Sequence, residues 1–97
     1  MFKIEWTPEA EQDLESILLY HLEHAGVRIA ESIYSRIKEQ VASLTLFPQR
    51  CRPGRVAQTK EYVITRLPYV VVVYINDNMV YVLNVVHTAR KYPYDAS

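Results

Sequence analysis

The apolar run Met79 to Val86 ends in groups that can move protons or hold anions: His87-Thr-Ala-Arg90-Lys91-Tyr92-Pro93-Tyr94. His87 is the member whose unperturbed pKa, about 6.5, suits general acid/base work near neutrality. Arg90 and Lys91 add fixed positive charge, and Tyr92 and Tyr94 beside them make an aromatic and basic surface suited to a protein partner. Plainer roles stand beside these: His87 ends a strand, where it would hydrogen-bond a backbone group or carboxylate, and Arg90 and Lys91 would be solvated. Arg50, Arg52, Arg55 and Arg66 form a second basic group that reads as a solvated face or a contact surface. His21 and His24 are three apart with Glu23 between them, a spacing at which histidines are expected to face solvent rather than hold a metal. Cys51 is the single cysteine, expected to be a semi-buried thiol, so neither a disulfide nor a zinc cluster is expected. No cofactor is expected.

Two apolar runs must position the terminal cluster. Leu67 to Ile75 and Met79 to Val86 flank Asn76-Asp77-Asn78, the pattern of two strands joined by a tight turn. The first run is apolar at odd and even positions alike, which predicts a central strand covered on both faces. Phe2 to Trp6 alternates as a half-buried strand. Thr7-Pro8-Glu9 opens a helix, with Thr7 as N-cap, Pro8 at the first helical position and Glu9, Glu11 and Asp13 near the positive end of the dipole. Ala10, Leu14, Ile17, Leu18, Leu22 and Ala25 share its apolar face, and Gly26 closes it. A second helix is predicted over 27–46, with Ile33, Ile37, Val41 and Leu44 inward and Pro48 beyond its end. Tyr20 and Tyr34 are expected at the core or its margin, and Glu11, Glu15, Glu23, Glu31 and Glu39 on a solvated outer face.

Residues 50–60 are polar and contain Pro53-Gly54, with entry into the sheet expected near Arg55-Val56. Glu61 to Arg66 then alternates as a further strand. The expected architecture is α+β: an N-terminal strand, an antiparallel two-helix hairpin, and a three-stranded antiparallel meander, making one small twisted sheet with both helices on it. At 97 residues, 49% of them hydrophobic, residues 1–97 are read as a single domain. The longest apolar run is about half the ~18 residues of a membrane span, and no signal pattern opens the chain. A cytoplasmic protein without membrane contact is expected. Net charge is zero, yet residues 1–49 carry eight acidic and four basic side chains while residues 50–97 carry three and seven. Such a dipole can steer an acidic partner but falls short of the basic balance needed to grip many phosphates.

The chain resembles the RelE/ParE toxins of bacterial type II toxin–antitoxin systems. The resemblance is carried by Trp6-Thr7-Pro8-x-Ala10-x-x-Asp13-Leu14, Phe47-Pro48, Arg52-Pro-Gly-Arg55-Val56, Glu61-Tyr-Val-Ile64, Leu67-Pro-Tyr-Val-Val-Val-Val-Tyr74 and Val85-Val86-His87-x-x-Arg90-x-Tyr92-Pro93. Order and spacing carry it rather than any single motif. It implies two helices against a small twisted sheet, and a growth-arresting toxin neutralised by a cognate antitoxin whose disordered C-terminal region folds on binding. Operator DNA would then be reached only through the antitoxin.

Two mechanisms follow from the resemblance. RelE-like members cleave messenger RNA on the ribosome, and Arg55, Arg66, His87, Arg90 and Tyr92 are the candidate counterparts of their catalytic groups. ParE-like members inhibit DNA gyrase, in which case no residue is catalytic. Arg52, Arg55, Arg66, Arg90, Lys91, Tyr92 and Tyr94 would then contact antitoxin or target. Lys60 is the sole lysine between Arg52 and Glu61, where ribosome-acting relatives are lysine-rich, and the closing His87-x-x-Arg90-x-Tyr92-Pro93 is similar to that of ParE-type and plasmid-stabilisation toxins. Both features favour gyrase, with ribosome-dependent cleavage as the alternative. A third possibility is an inactive relative that serves only as an antitoxin-binding co-repressor.

Overall fold

The computed structural model describes residues 1–90, 92 and 93. In chain order the elements are β1 (Lys3–Trp6), α1 (Pro8–Ala25), α2 (Val27–Ala42), β2 (Arg52–Pro53), β3 (Lys60–Val63), β4 (Tyr69–Asn76) and β5 (Met79–His87), with short 3-10 turns at Ser43–Thr45 and Pro48–Arg50. The sheet order is β1-β5-β4-β3-β2. β4 is therefore central, as its unbroken apolar run requires.

Thr7 makes the sharp transition from strand to helix. Its amide and hydroxyl both donate to the Val82 carbonyl, at 3.0 and 2.8 Å, which ends β1 against β5. The same hydroxyl accepts from the Ala10 amide at 3.2 Å and caps α1. A single residue, Gly26, then reverses the chain into α2. Its φ of 94° and ψ of 170° belong to a region essentially reserved for glycine.

Both helices cover one sheet face. Leu14, Ile37, Val41 and Leu44 pack there against Tyr62, Val71, Val73, Val80, Val82 and Val85. Val70, Val72 and Val86 are equally buried but lie outside this cluster, on the opposite face dictated by the two-residue alternation of strands.

The structure differs from the sequence expectation in strand count, five rather than four, and in three element boundaries. β1 runs parallel to β5, an orientation the sequence reading left open; the helix hairpin and β2 to β4 lie between them in the chain. The chain enters the sheet at Arg52–Pro53 rather than near Arg55-Val56, because Arg52 and Pro53 pair with Glu61 and Lys60. β3 stops at Val63 rather than Arg66: the Ile64 amide turns to the Tyr69 carbonyl and Arg66 takes a φ of 66° in the following turn. The second helix likewise ends at Ala42 and continues to Thr45 as a 3-10 turn. No helix among the described residues is long and apolar enough to cross a membrane.

Candidate functional site

A groove of about 690 Å³ opens where α1 crosses the end of the sheet. Its walls include Tyr20 and His21 of α1, Tyr69 and His87 of the strands, and Arg90. Tyr69 and His87 sit directly opposite each other in the β4–β5 register, which brings the two rings together. Their centroids are 5.4 Å apart, edge to face. His21 Nε2 lies 3.0 Å from the Tyr69 hydroxyl. Tyr20 meets His21 edge-on at 5.1 Å and stacks on His24 at 4.2 Å. The three histidines of the sequence thus join one string of rings, His24–Tyr20–His21–Tyr69–His87.

The string has a defined polar grain. The Ala89 amide donates to His87 Nδ1 at 3.0 Å, so the neutral imidazole carries its proton on Nε2. This is the backbone contact that the plainer reading of His87 anticipates. Burial, aided by the nearby Tyr20, raises the Tyr69 pKa and keeps its phenol neutral. The sequence places His21 in solvent and Tyr20 at the core or its margin. Instead His21 is half-buried and Tyr20 is 55% exposed, because α1 rolls these two positions onto the groove. The signal that could have found them is the spacing of Asp13, Ile17 and Tyr20–His21, one helical face aimed at the strand ends.

Asp13 fixes α1 over this end of the sheet. β1 is paired with β5 only as far as Val82, and a bulge at Leu83 follows. Beyond it, Asp13 Oδ2 accepts from the Val85 amide and from Asn84 Nδ2, each at 3.0 Å. Asn84 Oδ1 accepts in turn from the Tyr92 hydroxyl at 3.1 Å, which ties the segment after β5 to the helix.

The face of the sheet away from the helices holds Arg52 and Arg55. Glu61, only 2% exposed, receives Arg52 Nη2 at 3.1 Å, the Arg55 amide at 3.0 Å and Arg55 Nε at 3.4 Å. Burial alone would raise this carboxyl; the Arg55 amide, the Arg52 guanidinium and the charges of both arginines outweigh it and hold its pKa below the ordinary glutamate value. Arg55, His87 and Tyr92 share a depression here of about 10 Å³, room for roughly one water. Cys51 is half-buried, and burial raises its thiol pKa despite the nearby Lys60 charge. Among the described residues no His, Cys, Asp and Glu group could hold a metal.

The candidate residues therefore divide. Arg52 and Arg55 are engaged by Glu61; His87 and Arg90 line the groove; Tyr92 binds Asn84; Arg66 is exposed on the β3–β4 turn and lines neither hollow. Lys91 and Tyr94 lie outside the described residues.

Comparison with known proteins agrees with this architecture. The family described as "ParE toxin of type II toxin-antitoxin system, parDE" matches residues 4–92. A protein of Sinorhizobium fredii carrying the name "Putative toxin Y4kP" is 32% identical over 91 residues, covering 94% of this chain and 93% of its own. A solved chain of the chromosomal ParDE toxin–antitoxin system from P. aeruginosa superposes with a TM-score of 0.83 at 22% identity, over 90% of this chain and 96% of that one. Shared fold, relative and family match together make this chain a member of the ParE toxin family of type II toxin–antitoxin systems.

Proposed function

We propose that this toxin arrests growth by contact with DNA gyrase, without catalytic residues of its own, and that a cognate antitoxin in the same cytoplasm blocks it. The observation that carries this reading is Glu61. RNA cleavage through a 2′-hydroxyl needs a base, an acid and free cations at the scissile phosphate. Here Arg52 and Arg55 already hold a buried carboxylate, and the hollow shared by Arg55, His87 and Tyr92 is too shallow to enclose a nucleotide. The ring-lined groove offers instead what protein recognition uses, aromatic surface edged by Arg90. An antitoxin segment with an apolar anchor and a flanking carboxylate would fit it, ordering as it binds.

Two reactions with toxin freed of antitoxin test this: gyrase supercoiling with detection of cleaved DNA, and ribosome-programmed mRNA cleavage read by primer extension. Gyrase inhibition with intact mRNA is expected. Cuts positioned by codon would overturn the proposal in favour of the ribonuclease reading, whose one structural support is that Arg55, His87 and Tyr92 do share a hollow. In that case His87→Ala would abolish cutting.

A further inference from the structure

We propose that a second cleft, between α1 and α2 at the end of β1, receives an arginine side chain presented by a partner peptide. The cleft measures about 430 Å³, within the range of small-ligand sites. It shares no lining residue with the ring-lined groove, and the inference does not depend on the identity of the toxin's target. Trp6 and Tyr34 provide aromatic wall, and Leu14 and Leu18 apolar surface. Glu11 and Glu15, one helical turn apart on α1, supply the acidic rim, and neither makes an ion pair among the described residues.

The protein displays the preference of this cleft with one of its own side chains. Lys38 Nζ lies over the Trp6 ring, 4.7 Å from its centroid, within cation–π range. One internal ammonium against two carboxylates leaves the rim net negative, so charge complementarity selects a further cation. A guanidinium suits the site better than the resident ammonium. It is planar, stacks on an indole face, is more weakly hydrated, and presents a fork of donors that two neighbouring carboxylates can share. Arginine would therefore displace Lys38 from the ring, leaving it free to move into solvent on its flexible stem.

Trp6 is the only tryptophan in the sequence, so its fluorescence reports on this cleft alone. The full-length toxin is titrated with an acetylated octapeptide carrying one central arginine in a Gly/Ser/Ala background, and with the same peptide carrying citrulline, which keeps the shape without the charge. A saturable change in emission is expected for the arginine peptide, with citrulline at least about fivefold weaker. Glu11→Gln/Glu15→Gln should weaken binding about five- to tenfold, and Lys38→Met, which removes the internal competitor, should tighten it about threefold. Equal responses to the two peptides, no response at about 20 mM, or a Lys38→Met protein that binds less tightly would each overturn the proposal. The wild-type comparison of arginine with citrulline stands even if a variant fails to fold.

Discussion

Glu61 is the residue whose chemistry is most constrained by its surroundings. A carboxylate this buried survives ionised only because an amide and two guanidinium groups meet it, and removing its charge leaves those donors partly unmatched. The arginines are about half exposed, 54% and 45%, so water softens the loss below that of a fully buried pair. Glu61→Gln should therefore cost about 1–2 kcal/mol at neutral pH, read from urea midpoints. The pH dependence has a fixed sign. The folded carboxyl titrates below the unfolded one, so its stabilisation is complete above the ordinary glutamate pKa and is lost as pH falls through the folded value. The gap between wild type and Glu61→Gln should close on acidification; a gap unchanged between pH 7 and pH 3 would mean that shape, not charge, matters at this position.

At the scale of elements, the mismatch between β1, four residues long, and β5, nine, decides how the helices dock. The edge of β5 that β1 leaves bare would expose an amide at Val85, and Asp13 covers it from α1. Asp13→Ala should cost about 1–3 kcal/mol and accelerate amide exchange at Val85 by roughly tenfold or more, while Val71 in the central strand keeps its protection. At the other end of α1, Gly26→Ala meets nothing within 4 Å, so any loss there is backbone strain alone, about 1–3 kcal/mol in thermal or urea unfolding. A neutral Gly26→Ala would show that the hairpin relaxes its φ.

These same elements mark how far local pattern reaches. The helix hairpin and the central valine strand were legible because their apolar periods are long and consistent, and Thr7, Pro8 and Gly26 punctuate them chemically. The two-residue strand at Arg52–Pro53 has no period to read, and the parallel pairing of β1 depends on a partner about 75 residues away. His87 was legible as a strand end, whereas its ring partners Tyr20 and His21 were assigned to the wrong environments, since the roll of α1 is set by Asp13 reaching Asn84 and Val85 beyond the bulge.

At the scale of the whole molecule, the acidic first helix and the basic second half of the chain make a polar particle around a strand that tolerates no exposure. Val70 to Val73 are all at most 4% exposed and form an uncharged β-branched run, sheltered by β3, β5 and both faces of the fold. Global unfolding releases that run, and chains meeting there can pair edge to edge before they refold. Heating the free toxin should give an apparent midpoint that falls with slower scans and higher protein concentration. An antitoxin that binds the folded chain alone shifts the balance by mass action: at 100 times Kd the gain is about 2.7 kcal/mol, which for a chain of this size raises the midpoint by about 10–20 °C. If the ring-lined groove and Arg90 take part in that contact, Tyr69→Ala or Arg90→Glu should shrink the shift, and added salt should shrink the part that depends on Arg90. A full antitoxin shift in both variants would move the contact surface off this end of the sheet and onto the outer helix faces.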